Sequence, residues 1–523
     1  MRDDLDERVL ENLYSRLEAF SADPEFSVIK NNTVRTVLFY DSGRILVKLY
    51  KKGSLFQKIK HLAIPSKARS EWQNLKHFNQ KGLPCPAPLA FSERKQFGLL
   101  EESYLLIKAI PSAFPLNEYF ENTVLDPEPR MALILSLSRL IRELHTNHIF
   151  YRDLHAGNIL IRENPESGCE LFFIDLHRAA FPNKISVRMK VKDIAQFFNS
   201  ISFSGEEQFL FLKEYLEKDN ENLELFLHKI VLKQNRLKNT RIKSRSKRCL
   251  KNSSVFETQK NSRETYHGRR DFGREQTDQV LDLHTLNRDK NDGTLIKRSE
   301  KSIITIIERA GKAPLCIKEN RFVNLLYALK NLFRRSRAMK SWIAANGLKV
   351  RGIDTPLPLA VIEKRSGPFV KESYMITCFM KNAKEANDYI TIFKDPAQKK
   401  NKPAFIKAFA AAFKKLHDQG IYHADLKSNN ILIKESDDPH WKFYFVDLDR
   451  VFFKKAISFY QRANNLAQLN ASISALMTAK DRLKFFYFYA KDTHLYTNRK
   501  KYYQKILVIS RTKITGIYDV QFK

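Results

Sequence analysis

The sequence predicts an α+β protein that contains two tandem copies of one domain. Its 523 residues exceed what one hydrophobic core usually organises, since domains commonly hold ~100–200 residues. The second half matches landmarks of the first at an offset of 270 to 272 residues. In each half, short strand patterns come before longer helical patterns. We therefore expect a first domain over residues 1–245 and a second over 246–523.

Both halves begin with strand patterns that end near a lysine. These are RTVLFYDSGRILVKLY, which contains Lys48, and SIITIIERAGKAPLCIKEN, which contains Lys318. Helical patterns follow at 66–90 (SKARSEWQNLKHFNQKGLPCPAPLA) and 336–360 (SRAMKSWIAANGLKVRGIDTPLPLA), and both break at glycine and proline. The stretches ESYLLIK and ESYMITC then predict a further strand in each half. The next helix of the second half has apolar residues three or four positions apart: Phe405, Phe409, Ala412, Phe413 and Leu416.

The segment between the two copies is basic. Residues 233–251 hold nine Lys or Arg and no acid, and residues 252–292 show only weak periodicity. This composition predicts a basic linker over about 233–292 that leads into the entry strands of the second domain. The charge run is either a solvated surface or a patch for an anionic substrate or surface.

The charge of the whole chain indicates an anionic partner. Lys and Arg number 91 against 58 Asp and Glu, a net charge of +33. Such a field attracts nucleic acid, anionic lipid head groups or phosphorylated glycans, although lysine-rich surfaces also serve solubility. The aromatic and basic stretch KFFYFYAKDTHLYTNRKKYYQK could stack on single strands, but QFLFLKEYLEK of the first copy matches it as a core helix. Nucleic acid is therefore not expected as a partner.

Cysteine usage and hydropathy indicate a reducing compartment without a membrane span. No pair of cysteines has CxxC spacing, which argues against a zinc site and a disulfide framework. The N-terminal twenty residues lack the apolar core of a secretory signal, and no window approaches ~18 uninterrupted apolar residues. Any membrane association is expected to be peripheral. The five cysteines are Cys85, Cys169, Cys249, Cys316 and Cys378.

A set of polar residues recurs at identical intervals in the two halves. Asn158 follows Asp153 by five residues and precedes Asp175 by seventeen, and the second copy repeats both intervals. Each set lies between a helical pattern and an apolar strand, ELFFIDL or KFYFVDL. One DLxxxN match would be weak, but two with equal intervals are specific. The second set is Asp425, Asn430 and Asp447, and the histidines eight residues before each first aspartate, His145 and His417, are interpreted as core residues.

Phosphoryl transfer explains why these residue types are needed together. Its loose transition state leaves a protein mainly to position the reactants and to stabilise charge. An aspartate on a loop can accept the proton of an acceptor hydroxyl, while an asparagine and a strand-end aspartate supply oxygen ligands. Such hard oxygen ligands suit Mg²⁺ and not zinc.

These residues resemble the protein-kinase-like superfamily, and within it the bacterial lipopolysaccharide kinase family that phosphorylates Kdo or heptose sugars of the inner core. The resemblance is carried by LHTNHIFYRDLHAGNILI…FFIDLHRA and LHDQGIYHADLKSNNILI…YFVDLDRV, with SEWQNLKHFNQKGLPCPAPLA and RGIDTPLPLA. It covers most of the chain as two copies. It implies that each copy is a bilobal kinase-like domain, with a small antiparallel β-sheet lobe and a larger, mainly helical lobe.

The resemblance also implies roles for individual residues. Asp153 and Asp425 would be the catalytic bases. The metal ligands would be Asn158, Asp175, Asn430 and Asp447. Lys48 and Lys318 would contact the phosphates of ATP, and Glu71 would be the helix partner of Lys48. Taken alone, a strand-end lysine is more commonly just an exposed residue, but the matching position in both copies favours a function, whereas Glu71 could equally be a surface carboxylate.

Several departures from protein kinases favour a small-substrate kinase. No G-x-G-x-x-G precedes either lysine, the sequences DLH and DLD replace Asp-Phe-Gly, and no A-P-E follows. The second copy also has Ser341 in place of Glu71 and Asn465 in place of Asp193, a presumed brace of the catalytic loop. We therefore expect the first domain to be the better catalyst and leave the activity of the second open.

The expected activity is ATP- and Mg²⁺-dependent phosphorylation of a hydroxyl on a lipopolysaccharide core sugar. The expected acceptor is a lipopolysaccharide or another anionic glycolipid, at the cytoplasmic face of the inner membrane, where each nearby Lys or Arg contributes ~1 kcal/mol. Two alternatives remain at this point. One is a kinase for another small or sugar substrate, and the other is a basic pseudokinase scaffold on a membrane surface.

Overall fold

The structure is a computed structural model that divides into two compact units, Met1–Asn239 and Thr240–Lys523. The division lies in the helix Leu223–Ser246, and so does the boundary expected between residues 245 and 246. The residues that the structure describes are 24–31, 35–40, 44–51, 58, 61–62, 64–164, 168–217, 222–288, 294–321, 335–367, 369–437, 440–491, 493 and 495–521.

The first unit begins with a five-stranded antiparallel sheet in the order β1-β2-β3-β5-β4. Its strands are β1 (Phe26–Asn31), β2 (Arg35–Tyr40), β3 (Ile45–Tyr50), β4 (Pro88–Gln96) and β5 (Leu99–Lys108). Aliphatic and aromatic residues dominate β2 and β3, as expected for strands with a buried face. Strands β4 and β5 are joined by Phe97 and Gly98, whose positive φ angles of 52° and 76° are those of a tight two-residue hairpin turn.

The rest of the first unit is mainly helical. A serine side chain caps the first helix at Ser66, and that helix contacts β4 and β5. The central helix Pro127–Thr146 packs against Gly205–Tyr215 through buried leucine, isoleucine and phenylalanine side chains. The elements are α1 (Lys67–Gln80), β6 (Ala113–Pro115), α2 (Leu116–Asn122), α3 (Pro127–Thr146), β7 (Ile159–Asn164), β8 (Gly168–Phe173), α4 (Val187–Phe198), α5 (Gly205–Tyr215) and α6 (Leu223–Ser246).

The second unit begins with a seven-stranded sheet in the order β11-β12-β13-β15-β14-β10-β9. Five of its strands correspond to those of the first unit, and β9 and β10 extend one edge by pairing with β14. The elements of this part are β9 (Phe256–Lys260), β10 (Glu264–Arg269), α7 (Arg274–Asn287), β11 (Leu295–Ser299), β12 (Ser302–Arg309), β13 (Lys312–Arg321), α8 (Arg337–Val350), β14 (Pro358–Ser366) and β15 (Phe369–Cys378).

The segment 233–292 contains little linker, so that interpretation is wrong for most of its described length. Entry strands were expected and are present as β9 and β10, but α6 and α7 occupy much of the remainder. The periodicity is weak because the strands have five and six residues, and because the buried face of α7 includes the polar Thr277 and His284. Residues 289–293 lie outside the described residues.

The helical part of the second unit has a core rich in phenylalanine. The residues expected on one helix face, Phe405, Phe409, Phe413 and Leu416, are all buried, and Ala412 is half-buried. The elements are β16 (Lys384–Glu385), α9 (Ala386–Ile390), α10 (Pro396–Lys399), α11 (Lys402–Asp418), β17 (Ile421–His423), β18 (Ile431–Glu435), β19 (Trp441–Phe445), β20 (Val451–Phe453), α12 (Phe459–Ser472), α13 (Ala479–Ala490) and α14 (Arg499–Gln521).

Each unit therefore places an antiparallel sheet before a mainly helical part, and the prediction of an α+β fold in two tandem copies is confirmed. Among the helices that the structure describes, none is long and apolar enough to cross a bilayer.

Candidate active sites

Lys48 of the first unit lies in a buried ion pair with Glu71. It projects from β3, and its Nζ is 2.7 Å from Oε1 of Glu71 on α1. The hydroxyl of Tyr50, two residues further along β3, donates a hydrogen bond of 2.6 Å to the other carboxylate oxygen. Burial and the Glu71 charge raise the pKa of Tyr50 well above its ordinary value, so the hydroxyl stays a donor. Both oxygens of Glu71 are thus occupied, and the lysine is held in one position.

Asp175 lies between two cations at the end of β8. Its Oδ1 is 2.5 Å from Nζ of Lys48, and both its oxygens accept from Nη1 of Arg35 at 3.0 Å. Asp175 has a φ of 59°, a left-handed conformation that aspartate tolerates better than most residues. Burial alone would raise the pKa of this carboxyl, but Lys48 and Arg35 outweigh burial and hold the pKa well below its usual range. The carboxylate is therefore charged at any physiological pH.

Asp153 lies in the loop between α3 and β7, close to the metal-ligand candidates. Its Oδ2 is 3.0 Å from Nη1 of Arg178, which is largely exposed. Asn158 donates from Nδ2 to the backbone carbonyl of Asp153 at 3.1 Å, which leaves its amide oxygen as the atom available to a cation. The structure therefore brings the predicted base and the first predicted ligand onto one short loop.

A buried carboxylate fixes the backbone of this loop. Asp193 on α4 accepts hydrogen bonds from the backbone N–H groups of Tyr151 at 2.8 Å and Arg152 at 3.0 Å. The hydroxyl of Tyr151 donates to the carbonyl of Ile174, the residue before Asp175. The expected bracing role of Asp193 thus has a direct geometric basis, and Tyr151 ties the loop to the second metal-ligand candidate.

The second unit repeats the lysine and the aspartate, but both side chains are more exposed to solvent than in the first unit. Nζ of Lys318 on β13 forms an ion pair with Oδ1 of Asp447, which has the same left-handed conformation as its counterpart, with a φ of 56°. The Lys318 side chain is 31% exposed, against 7% for Lys48. Lys318 lowers the pKa of Asp447 although burial acts the other way. This lysine is therefore anchored at the aspartate but has no helix carboxylate like Glu71.

A different carboxylate approaches this lysine. Ser341 on α8 is half-buried and uncharged, whereas Asp449 follows the metal-ligand aspartate by two residues and is close enough to Lys318 for their charges to interact. Burial and the adjacent Asp447 raise the pKa of Asp449, against the opposing effect of Lys318 and Arg337. Nε of Arg337 is 3.4 Å from the Asp449 carboxylate. The negative charge beside the lysine thus comes from the turn after β19 and not from the helix.

The second catalytic loop has the same plan with other bonds. Asn430 donates from Nδ2 to the carbonyl of Asp425 at 2.7 Å, as its counterpart does. Nζ of Lys427 is 3.2 Å from the Asp425 carboxylate. The loop is braced by two amides: Asn465 donates to the carbonyl of His423 at 2.5 Å, and Gln468 both donates to and accepts from the loop backbone. Neutral groups therefore replace the single carboxylate of the first unit.

The two histidines at the helix ends are core residues, as interpreted from sequence. Nδ1 of His145 is 2.7 Å from the hydroxyl of Tyr215, and Nδ1 of His417 is 2.7 Å from the hydroxyl of Tyr489. In both units the partner of this ring nitrogen is thus a tyrosine hydroxyl. Burial lowers the pKa of His417 to about 3, which keeps it neutral.

The donor set of each site fits a Mg²⁺ ion that keeps several of its own waters. Within the described ranges, no three His, Cys, Asp or Glu side chains converge as a metal site. Each copy offers one aspartate and one asparagine oxygen, and Mg²⁺ is commonly bound by one or two carboxylates together with substrate phosphates. Asp175 with Asn158, and Asp447 with Asn430, therefore remain the predicted ligand pairs.

Sequence reasoning missed four residues that touch the predicted ones. Arg35 is 140 positions from Asp175, and no interval in the sequence links the two. Tyr50 follows Lys48 by two residues and Arg178 follows Asp175 by three, but closeness in the sequence does not predict a role. Lys427, two residues after Asp425, could have been found because the second copy has a lysine where the first has a histidine.

A model described as "Lipopolysaccharide kinase (Kdo/WaaP) family" matches residues 18–221 and 319–489, well over half the chain. The chain is 24% identical over 160 residues to the lipopolysaccharide core heptose(I) kinase WaaP of Pseudomonas aeruginosa, covering 29% of this chain and 60% of that protein. It is 24% identical over 228 residues to WaaP of Escherichia coli, covering 41% of this chain and 86% of that protein.

Other similar proteins include a second type of sugar kinase. The chain is 28% identical over 140 residues to the 3-deoxy-D-manno-octulosonic acid kinase of Haemophilus influenzae, covering 27% of this chain and 54% of that protein. A solved structure described as "WaaP in complex with acyl carrier protein" aligns with a TM-score of 0.34 at 20% identity, covering 45% of this chain and 95% of that chain.

Proposed function

The chain belongs to the lipopolysaccharide kinase (Kdo/WaaP) family, a family of ATP-dependent phosphotransferases, and we propose that it phosphorylates a hydroxyl of a Kdo or heptose sugar of the lipopolysaccharide inner core. The observation that carries this proposal is the buried contact of Lys48 with both Glu71 and Asp175, on one side of a loop that holds Asp153 and Asn158. Phosphoryl transfer needs a positioned cation, metal-binding oxygens and a base.

Each residue of the first site has a task in this reaction. Bound ATP would supply the phosphoryl group, and Mg²⁺ held by Asn158 and Asp175 would neutralise charge on the phosphate oxygens. Lys48, fixed by Glu71, would bind the phosphates through a charge-assisted hydrogen bond. Asp153 would accept the proton of the sugar hydroxyl. Arg178, paired with Asp153, would move away or hold the carboxylate in place as the acceptor enters.

The second site keeps the same tasks with weaker support. Asp425 would be the base, Asn430 and Asp447 the metal ligands, and Lys318 the phosphate contact. The absence of a helix carboxylate beside Lys318 favours a slower second site, or one that binds glycolipid and raises its effective concentration. The acceptor would be met at the cytoplasmic face of the inner membrane, where the net charge of +33 favours peripheral contact with an anionic surface.

The test is transfer of labelled γ-phosphate from ATP to purified lipid A that carries its inner core. Wild type, Asp153→Asn, Asp425→Asn and the double variant are compared, with Mg²⁺ present or chelated. We expect labelling by wild type that needs Mg²⁺ and disappears in the double variant. A wild type that binds ATP but labels no glycolipid would overturn the proposed acceptor, and labelling retained in the double variant would overturn the assigned bases.

A further inference from the structure

A basic surface lies beside the catalytic loop of the first unit. Phe150, three residues before Asp153, has Nζ of Lys192 at 4.8 Å and Cζ of Arg152 at 5.7 Å from its ring centroid. These distances are within the range of cation–π contacts. Arg152 is exposed and Lys192 half-buried, so both charges border the loop that carries the predicted base.

Two further cations extend this surface along neighbouring helices. Arg188 is one turn before Lys192 on α4, so the two side chains lie on the same helix face. Lys233 on α6 lies near both, and its pKa is lowered by burial and by the positive charges of Lys192, Arg188 and Arg236. Helices α4 and α6 are joined by a hydrogen bond of 3.1 Å from the amide of Asn199 to a backbone carbonyl of α6. The basic patch is defined as Arg152, Arg188, Lys192 and Lys233.

The patch is held at a fixed place relative to the catalytic loop. Asp193, the residue after Lys192, accepts hydrogen bonds from the backbone of Tyr151 and Arg152. The helix that carries two of the cations is therefore bonded to the loop that carries the base. Within the described residues, no member of the basic patch takes part in an ion pair with a carboxylate. Positive charges are thus gathered together without local neutralisation.

The second unit lacks this surface although it repeats the site. Sequence alignment of the repeats places Ala424 at the position of Arg152, Asn464 at that of Lys192 and Tyr460 at that of Arg188. Asn464 donates a hydrogen bond of 2.7 Å to the hydroxyl of Tyr422, so this helix position contributes no charge. The Tyr422 ring does have a cation 5.8 Å from its centroid, but that cation is Lys454, which follows β20 and is not on the helix. The charges are therefore not required by the shared fold.

We propose that the basic patch binds a phosphate group already present on the acceptor glycolipid and thereby positions the acceptor hydroxyl at Asp153. This inference rests on the proposed function and adds the substrate class of the first site. Clustered cations repel one another, and a phosphate monoester with about two negative charges relieves that repulsion better than a single carboxylate. The neutral counterpart in the second unit implies that only the first site selects acceptors in this way.

The test is steady-state kinetics of Arg188→Gln/Lys192→Gln in an Asp425→Asn background, which leaves the first site as the one with its base. The acceptor is the inner-core glycolipid in neutral detergent, either intact or dephosphorylated. We expect KM for the intact acceptor to rise roughly tenfold, with KM for ATP and kcat unchanged, and little change for the dephosphorylated acceptor. A control of equal charge change, Lys81→Gln/Lys213→Gln, should leave all four values as they were.

Other outcomes overturn the proposal. Equal changes for both acceptors, or the same change in the control, would mean that the patch does not recognise the phosphate. Unchanged kinetics with weaker retention on phosphatidylglycerol vesicles would identify it as a membrane contact. Binding of the intact glycolipid without ATP separates the two proposals: patch-dependent binding with no transfer would reject the proposed function alone, and no binding by wild type would reject both.

Discussion

The two candidate sites share their predicted base and metal ligands but differ in how the lysine predicted to bind phosphate is held. In the first unit a helix carboxylate, Glu71, pairs with Lys48 and is itself fixed by Tyr50. In the second unit the corresponding positions are Ser341 and Asn320, and a carboxylate comes instead from Asp449 in the turn after β19. The repeat has thus kept the groups predicted to contact reactants while exchanging those that would position them.

This exchange moves a negative charge from the helix to the turn. In the first unit the helix carries Glu71 and the turn after Asp175 carries His177, whereas in the second the helix carries the neutral Ser341 and the turn carries Asp449. Each arrangement places one further negative charge near the lysine. We therefore expect the second unit to tolerate the missing helix carboxylate, and the two units to respond differently to equivalent substitutions.

The largest difference is expected for the helix position. In an Asp425→Asn background, Glu71→Gln should lower kcat of the first site by roughly 10²-fold, because a buried lysine loses the charge that fixes it. Ser341→Ala in an Asp153→Asn background should change kcat of the second site less than twofold. Initial-rate measurements with both variants check this. Equal losses in the two sites would show that Ser341 holds Lys318 after all.

The braces of the catalytic loops should not be interchangeable. Asp193→Asn replaces one of the two accepting oxygens by an NH2 group, so one of the two backbone N–H groups loses its acceptor. Asn465→Asp replaces the donating NH2 group, which is 2.5 Å from the carbonyl oxygen of His423, by a carboxylate oxygen that cannot donate to it. Each change should lower the free energy of unfolding of its own unit by about 2 kcal/mol. Urea unfolding followed by fluorescence checks this, with Trp72 reporting on the first unit and Trp342 and Trp441 on the second.

The matching controls exchange residues that make no hydrogen bond to the loop backbone. Lys192→Asn and Asn464→Lys also install the other copy's residue, next to each brace; each loses a contact to one aromatic side chain, so the free energy of unfolding should fall by about 1 kcal/mol or less. If either brace exchange is equally mild, the two loops are held mainly by packing and not by these hydrogen bonds.

A smaller effect is expected for the carboxylate that replaces the helix partner. In an Asp153→Asn background, Asp449→Asn should lower kcat of the second site roughly tenfold, since Lys318 loses a nearby charge but keeps Asp447. His177→Asn in an Asp425→Asn background should have less effect on the first site. Initial rates measure both. If Asp449→Asn leaves the rate unchanged, the second lysine is positioned by Asp447 alone.

Sequence reasoning reached the parts of each site that are local in the chain. The intervals between Asp153, Asn158 and Asp175 are set by one loop and two short strands, and the second copy has the same intervals. The same reasoning missed Arg35, because its contact with Asp175 joins two separate sheets in the folded unit and does not follow from any spacing along the chain. The fold class was predicted from the order of strand and helix patterns along the chain, and that order depends on many residues at once.

The elements of the predicted linker were missed for a related reason. Helix α7 buries Thr277 and His284, and Nε2 of His284 is 2.9 Å from the Glu319 carboxylate on β13. A buried polar pair is stable only when both partners are present, and the partner here lies 35 residues away. A search for apolar periodicity does not detect such polar contacts, so the sequence pattern of this segment resembled that of a linker.

The smallest difference concerns the residue two positions before each predicted base. Tyr151 and His423 both donate a hydrogen bond to the carbonyl that precedes the metal-ligand aspartate, but the histidine also titrates. Burial lowers the pKa of His423 below its ordinary value of ~6.5, so as the pH falls below ~6.5 the unfolded chain takes up a proton that the folded chain does not. The second unit should therefore lose stability between pH 7 and pH 5, by about 1–2 kcal/mol from this residue.

Replacing His423 with tyrosine removes this pH dependence and keeps a donor for the carbonyl. In a Trp72→Phe background, where fluorescence reports on the second unit, His423→Tyr should show a smaller loss of unfolding free energy from pH 7 to pH 5 than wild type. Because His417 stays neutral in both proteins, its own contribution cancels from the difference. An identical slope in the His423 variant would mean that this histidine is protonated in the folded unit, with its contact to the carbonyl of Val446 intact.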